Sequence, residues 1–354
     1  MKSENNGRDF VKKVLVLLLI FSMLFPTSFI YGEGTEKDEI TISIAGDVLM
    51  DGVVRKQINK NGYNYPWEKV NKYFQESDLS IVNLETSITT RGKKWPNKQF
   101  NFRSHPKNLK YMKEAGVDVV TIANNHILDY SNQGFLDTLN HLEKNKIPYA
   151  GGGRNKKEAL QGVVVDVEGV KVGILAFSRV IPDVKWYATD KRSGLVGAYD
   201  GYTKDMMKRI KQMKEEVDIL VLSIHWGKER STKPRKQEID LAKSCIDAGV
   251  DIVMGHHPHV LQGVEMYKGK PIFYSLGNFI FGGKDKITRT TMIGQINIVD
   301  KKIESINVIP CNIVNGRPIP VAGKEKVEAI NYINKLCKPF NLKFDGGGSY
   351  GKKQ

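Results

Sequence analysis

Cysteine is scarce in this sequence, with three residues among 354: Cys245, Cys311 and Cys337. They are too few and too widely spaced for a disulfide framework or a thiolate metal site. One pair could be joined outside the cell, but the spacing does not indicate which pair. A structural role for all three is the simplest interpretation.

The chain also has no low-complexity tract, no repeat at a fixed period and no strong linker. Hydrophobic residues make up 40% of it, which is typical of a folded protein with a sizeable core. Composition therefore excludes a disordered or repetitive protein. We expect residues 40–340 to form one domain that ends in additional C-terminal strands and a helix.

The first 32 residues differ from the rest. Four basic residues come before an uncharged apolar run at 14–25: Lys2, Arg8, Lys12 and Lys13. A basic region followed by an apolar region is typical of a secretory signal. Because basic residues stay on the cytoplasmic side, we expect everything after Gly32 to lie outside the cytoplasm.

Whether this segment is cleaved is left open by the sequence. The unbroken apolar run favours a signal peptide, whereas counting through to Tyr31 gives enough length for a single transmembrane anchor. No Ala-x-Ala site and no nearby cysteine for lipid attachment follows. The protein is expected at the cell membrane as a single-pass protein, or secreted if the signal is removed.

The net charge is +15, and lysine-rich stretches recur at residues 93–94, 156–157, 233–236 and 301–302. For a protein outside the cytoplasm, nucleic acid is excluded as a partner. An anionic polymer, membrane headgroups or simply a solvated basic surface would each account for the charge.

Apolar runs alternate with amphipathic stretches from Ile40 onward, which indicates an α/β protein with mixed sheets. Two hairpins are expected, with turns at Glu168-Gly169 and Lys268-Gly269. Helices are predicted near residues 67–74, 108–115, 135–144, 204–214, 235–248 and 324–336. Asp51 is interpreted as a helix cap rather than as a further site acid.

Five of the seven histidines lie in short segments directly after predicted strands. In open α/β sheets, ligands bind beyond the carboxyl ends of strands. Imidazoles and carboxylates are ligands for Zn, Mn and Fe. The distribution therefore predicts one metal-dependent site containing one or two ions.

Two carboxylates also follow apolar runs. Asp47 comes after the run at 40–45, although a Gly-Asp turn can equally be an Asx turn or a helix cap. Glu85 ends the run Ser80-Ile81-Val82-Asn83-Leu84, and a strand would place Asn83 on the same face. An acid in that place must be solvated or paired.

The segment Ala123-Asn124-Asn125-His126 offers an amide oxygen for a metal and an imidazole for proton donation. Alone, it could be turn residues with a surface histidine. His225 ends another predicted strand and is a natural single-imidazole ligand.

The strongest signal is Gly255-His256-His257-Pro258-His259. Three imidazoles in four positions have no packing rationale. His257 and His259 can supply two ligands to one metal site, and His256 would then point away or support a ligand. Asn278, in Ser275-Leu276-Gly277-Asn278-Phe279, can contribute to the rim of the site or belong to a β-bulge.

Taken in order, these motifs resemble the CapA (PgsA) poly-γ-glutamate capsule synthesis proteins over residues 40–285. The resemblance implies a metallophosphoesterase-like four-layer α/β/β/α sandwich, with residues 286–340 completing the same domain. It also implies membrane association, poly-γ-glutamate as the polymer, and other capsule-synthesis membrane proteins as partners.

Residue by residue, the resemblance makes metal ligands of Asp47, Glu85, Asn125, His225, His257 and His259. It makes His126 the catalytic histidine beside the leaving group, and Asn83 a possible helper of Glu85. The motifs themselves place Asn83, Asn124, His256 and Asn278 where they would support the ligands or contact the substrate. There are two departures. Leu49 stands where the phosphoesterases have a ligand histidine, and Glu85 stands in place of their bridging aspartate.

Three functions remain open from the sequence. The leading hypothesis is a capsule-synthesis protein that takes part in the synthesis, export or trimming of poly-γ-glutamate. A second is a secreted metal-dependent phosphoesterase or amidase acting on cell-wall material. A third is a non-catalytic polymer-binding protein with a degenerate metal site, which the missing imidazole at Leu49 favours.

Overall fold

Two mixed β-sheets face each other across an apolar interior, and helices cover both outer faces. This arrangement comes from a computed structural model in which residues 39–351 are described. The predicted signal or anchor segment, residues 1–32, lies outside the described residues. Within residues 39–351, none of the helices combines the length and the apolar character needed to cross a bilayer.

The strands follow one another along the chain as β1 (Glu39–Val48), β2 (Leu79–Leu84), β3 (Ser87–Ile88), β4 (Arg103–Ser104), β5 (Val119–Thr121), β6 (Tyr149–Ala150), β7 (Gly152–Gly153), β8 (Val163–Val167), β9 (Val170–Ser178), β10 (Gly194–Leu195), β11 (Ile219–His225), β12 (Ile252–His256), β13 (Val264–Tyr267), β14 (Lys270–Phe273), β15 (Asn278–Ile280), β16 (Thr290–Val299), β17 (Lys302–Val314), β18 (Arg317–Pro320) and β19 (Ser349–Gly351).

The α-helices are α1 (Gly52–Asn61), α2 (Asn71–Gln75), α3 (Asn108–Glu114), α4 (Ser131–Lys144), α5 (Lys156–Gln161), α6 (Thr203–Lys214), α7 (Lys236–Asp247), α8 (Lys286–Arg289) and α9 (Gly323–Cys337).

The first sheet has the strand order β18-β17-β16-β1-β2-β5-β6, with β15 pairing with β1 and β19 with β17. Strands β1, β2, β5 and β6 are parallel, whereas β16, β17 and β18 are antiparallel to their neighbours. The second sheet has the order β13-β14-β12-β11-β9-β8. Its central strands are parallel, and both of its edge strands are antiparallel partners.

Successive side chains of a strand point to opposite faces of its sheet, so one face of each sheet packs into the interior between the two sheets. In β11, Val221 belongs to the inter-sheet core, while Leu220 and Leu222 pack with the helices. Outside the first sheet, α1, α3 and α4 pack against it, and α6 and α7 cover the second sheet. The four-layer α/β/β/α sandwich with mixed sheets is therefore confirmed, as are both hairpins.

The N-terminal helices differ from the sequence prediction. α1 was not predicted, because it buries only Val54 and Ile58 and its apolar periodicity is weak. The helix expected at 67–74 is wrong in its extent: residues 64–70 form hydrogen-bonded turns, and α2 covers only Asn71–Gln75. Asp51 does cap α1, since its side chain accepts a hydrogen bond from the Gly52 N–H at 2.6 Å.

The three cysteines are free and buried. Burial raises the pKa of the Cys337 thiol to about 11, which keeps it protonated at neutral pH. The structural interpretation of these residues fits their surroundings.

A close backbone approach fixes the end of β1, where the candidate site begins. A Cβ atom on Gly46 would lie 2.0 Å from the Gly277 carbonyl oxygen. That same oxygen accepts a hydrogen bond from the Asp47 N–H at 3.0 Å, so the two segments cannot separate freely.

We expect Gly46→Ala to lower the free energy of unfolding by about 1–3 kcal/mol, because the methyl group forces the two backbones apart. Urea unfolding measures this change. Gly201→Ala is the matched control, since a Cβ there meets no heavy atom within 4 Å. Equal stability of the Gly46 variant and the wild type would contradict the proposed close approach.

Candidate metal centre

Asp47 lies at the carboxyl end of β1, where the ladder to β2 shifts register. Its side chain is fully buried and still has several partners. Asn83 donates to Oδ1 at 2.8 Å, and His256 Nδ1 is 3.0 Å from the same oxygen. His259 Nδ1 is 3.3 Å from Oδ2. The Asp47 carboxylate is thus held by groups from both sheets.

Glu85 follows β2, and its backbone N–H donates to the Val48 carbonyl at 2.9 Å. Its carboxylate is fully buried, and neither oxygen has a hydrogen-bond partner. The nearest imidazole nitrogens are His225 Nε2 at 3.4 Å and His259 Nε2 at 3.9 Å from Oε1. A buried carboxylate without hydrogen bonds is costly unless a cation satisfies it.

The second sheet supplies the imidazoles. His225 and His256 end the paired strands β11 and β12, and they stand opposite each other in register. His257 and His259 follow in a turn with φ angles of +94° and +56°. Such values are strained for residues other than glycine, and strain of this kind accumulates at functional sites. The turn brings the ring of His257 to 4.9 Å from His225 and 5.8 Å from His259.

Asn278 contacts His259 directly. Its Oδ1 is 2.9 Å from His259 Nδ1, and its side-chain amide donates to the His259 carbonyl at 3.3 Å. With Nδ1 engaged by Asn278 and Asp47, Nε2 is the nitrogen of His259 that is left for a metal.

The Asn124–His126 segment follows β5 beside Glu85. Asn125 Oδ1 is 2.8 Å from His225 Nε2, which joins the two sheets across the site. Asn124 donates to Asn83 Oδ1 at 3.0 Å and accepts from the His126 N–H at 3.1 Å. Asn124 therefore shapes the loop, whereas the Asn125 side chain faces the cluster.

Two residues that the sequence interpretation did not include hold His126. Asp129 Oδ2 lies 2.7 Å from His126 Nδ1, and Lys98 Nζ lies 2.9 Å from the same nitrogen. Lys98 also pairs with Asp129 and donates to the Asn125 carbonyl at 2.6 Å. The spacing of Asp129, three residues after His126, is a local signal for such a contact. Lys98 lies in a distant loop and has no sequence signal.

Potential ligand atoms form two sets that share one carboxylate. Glu85, His225 and His257 each offer an atom within 4.8 Å of the others, and so do Asp47, Glu85 and His259. A third set, formed by Glu229, His257 and His259, includes an exposed residue that the sequence interpretation missed. Leu49, which stands where the sequence comparison expects a further histidine ligand, is a buried apolar residue.

Burial and mutual repulsion set the charges of the two acids. Burial and the neighbouring Asp47 carboxylate raise the pKa of Glu85 well above its ordinary value. Burial would also raise the pKa of Asp47, but hydrogen bonds from His256 and His259 outweigh it and hold that pKa well below the usual range. Without a cation, the pair therefore favours one proton on Glu85.

Most of the imidazoles are neutral, as ligands must be. Burial, together with the nearby His259, lowers the pKa of His257 to about 3. Burial and His257 hold the pKa of His225 well below its ordinary value. His259 differs: burial opposes its charge, yet hydrogen bonding to Asp47 raises its pKa.

The donor set fits a divalent metal ion. Both Glu85 oxygens, His225 Nδ1 and His257 Nδ1 are buried and lack hydrogen-bond partners. Carboxylates, imidazoles and one amide oxygen are the ligand types expected for Mn, Zn or Fe. A cation would also offset the repulsion between Asp47 and Glu85.

Fold and site together define the class: a four-layer α/β/β/α protein with a carboxylate–imidazole cluster where strand ends of both sheets meet. The chain belongs to the family described as bacterial capsule synthesis protein PGA_cap, whose sequence pattern matches residues 41–283.

Two relatives cover most of the chain. It is similar to "Capsule biosynthesis protein CapA" of Bacillus anthracis, at 33% identity over 289 residues, or 81% of this chain and 70% of that protein. It is also similar to "PGA biosynthesis protein CapA" of Bacillus subtilis (strain 168), at 30% identity over 349 residues, or 96% of this chain and 90% of that protein.

Among solved structures, 5'-nucleotidase from Candida albicans SC5314 is similar at 12% identity and a TM-score of 0.44, over 87% of this chain and 55% of that chain.

The raised pKa of Glu85 predicts a pH-dependent stability of the metal-free protein. The unfolded chain ionises Glu85 near its ordinary value of 4.5, whereas the folded protein holds the proton to higher pH. The contribution of Glu85 to the free energy of unfolding is therefore fully present below pH 4.5. It is lost as pH rises toward the pKa that Glu85 has in the folded protein. Glu85→Gln removes this loss, so the variant should unfold at least about 2 °C above the wild type at pH 8 in EDTA.

Thermal unfolding between pH 4 and pH 8 measures the difference, which should widen as pH rises. Added Mn²⁺ should make the wild type unfold at a higher temperature than Glu85→Gln, because a metal that binds only the folded wild type stabilises it. A difference that is constant with pH would refute the assigned charge state of Glu85.

Proposed function

We propose that this protein is an accessory protein of poly-γ-glutamate capsule synthesis that trims the anionic polymer at a divalent-metal site. The supporting observation is the Glu85 carboxylate, which is buried, has no hydrogen bond and belongs to two ligand sets at once. A carboxylate shared in this way favours two ions over one. Mn, Zn and Fe all suit the donor atoms.

The residues have separate tasks in this proposal. Asp47, Glu85, Asn125, His225, His257 and His259 would hold the metal. When bound, the metal would polarise the oxygen of the bond to be cleaved and activate water. Asp129 fixes the ring of His126 by accepting from Nδ1, and Lys98 pairs with Asp129. His126 would then protonate the leaving group.

The charge around the site suits a polyanion. Lys228 is exposed beside Glu229, in the loop next to the histidine turn. Lys93 and Lys94 are exposed on the loop that carries Lys98. A basic rim attracts a polymer that bears one carboxylate per repeat. The names of the two relatives refer to capsule and PGA biosynthesis, and they support this choice of polymer.

A non-catalytic function is the second candidate, and Leu49 is the observation that favours it. An apolar side chain stands where another ligand would strengthen the centre. In that case the protein would bind polymer or other capsule-synthesis membrane proteins without cleaving anything.

We expect the purified full-length protein to bind Mn²⁺ or Zn²⁺ and to shorten poly-γ-glutamate chains. His257→Ala should weaken metal binding by about 100-fold or more and abolish shortening, because a ligand of two overlapping sets is lost. Metal analysis and gel filtration of the polymer are the measurements. His141→Ala is the control, since His141 lies on α4 in none of the ligand sets.

Each other result has a definite meaning. Metal binding without shortening, together with release of phosphate from simple esters, would favour the wall-directed hydrolase. Metal binding without either activity would favour the non-catalytic candidate. Absence of metal from the wild type would contradict the proposal.

The proposed location is outside the cytoplasm at the membrane, through residues 1–32. The support is the basic and apolar pattern of that segment. An intact anchor would keep the protein in one pass through the membrane, and cleavage would release it.

We expect the full-length protein to stay with membranes after carbonate extraction and to be degraded by protease added to intact protoplasts. A chain that begins at residue 33 should lose both properties, because the apolar run is absent. Protection of the full-length protein from external protease would contradict the proposed location.

A further inference from the structure

Glu229 is an exposed acid next to the buried ligand cluster. It lies in the loop between β11 and α7. One carboxylate oxygen and one ring nitrogen from each of His257 and His259 lie within 4.8 Å of one another. We propose that Glu229 is an additional metal ligand, which closes the site from the solvent side. This inference rests on the metal centre proposed above.

The loop that carries Glu229 is docked onto the histidine turn. The Arg230 N–H donates to the Pro258 carbonyl at 2.8 Å. The Arg230 guanidinium pairs with Asp285 at 2.6 Å, and Gln262 donates to the Ser231 carbonyl at 2.8 Å. These contacts on the residues after Glu229 tie its backbone to His257 and His259. These contacts of the neighbouring residues place the Glu229 carboxylate beside the imidazoles, although its own side chain makes no contact that holds it there.

The side chains at this point lack partners. His257 Nδ1 is buried and makes no hydrogen bond. Throughout residues 39–351, the Glu229 carboxylate has no hydrogen bond or ion pair. The buried His257 nitrogen has no partner and the Glu229 carboxylate is not neutralised by a protein cation, so the two would share a divalent ion well.

Glu229 also compensates for the departure at Leu49. Asp47 and Glu85 approach the histidines from the first sheet, and Leu49 adds no donor on that side. Glu229 comes from the second sheet and adds a negatively charged donor to the pair His257 and His259. The centre would then have three carboxylates, a composition that favours Mn over softer metals.

Glu229→Ala in the full-length protein tests this role. Because Glu229 is exposed, the variant should fold like the wild type. We expect it to bind Mn²⁺ at least about tenfold more weakly in calorimetric titration. At saturating Co²⁺, its visible absorption spectrum should differ from that of the wild type, because the ligand set has changed.

Glu215→Ala is the matched control. Glu215 is exposed and follows α6, at the end of the second sheet opposite to His225. The Glu215→Ala substitution removes the same charge at a place away from the site. Its Mn²⁺ affinity and its Co²⁺ spectrum should therefore match those of the wild type.

Three outcomes would overturn the inference. Unchanged Mn²⁺ affinity in Glu229→Ala would exclude Glu229 as a ligand, while the metal centre itself would stand if His257→Ala still lost binding. Weaker Mn²⁺ binding with an unchanged Co²⁺ spectrum would mean that Glu229 acts through its charge alone. A wild type that binds neither ion would overturn both the centre and this ligand.

Discussion

Two buried carboxylates at neighbouring strand ends are the constraint on which the rest of this site depends. Asp47 and Glu85 are both fully buried, and the Asp47 carboxylate helps to raise the pKa of Glu85. Burying two acids side by side is unfavourable unless positive charge or hydrogen-bond donors compensate. Asp47 has donors from Asn83 and His256, whereas Glu85 has none. The proposed divalent cation at Glu85 would resolve this imbalance.

The sandwich is what brings the compensating groups together. One sheet supplies the carboxylates and Asn125, and the other supplies His225, His257 and His259. Both ligand sets that contain Glu85 need groups from the two sheets. The close approach of Gly46 to Gly277 fixes Asp47 beside β15, and the strained turn at His257 places the imidazoles opposite it. The packing of the core and the geometry of the site are therefore coupled.

Much of this arrangement could be predicted from the sequence, because its signals are local. Apolar runs that end in polar residues located β1, β2, β11 and β12, and the positions of the site residues follow from those strand ends. The helix α1 was missed because it buries so few residues. Lys98 and Glu229 were missed because their roles depend on contacts between distant loops, and no spacing in the chain encodes such contacts.

Membership of the capsule-synthesis family and the geometry of the cluster both support the proposed metal centre. The most direct test is the anomalous difference map of crystals soaked in Mn²⁺, recorded on both sides of the manganese absorption edge. The account predicts anomalous peaks within coordination distance of Glu85 and of the imidazoles of His257 and His259. A map without a peak in this cluster, from crystals in which the cluster is well ordered, would contradict it.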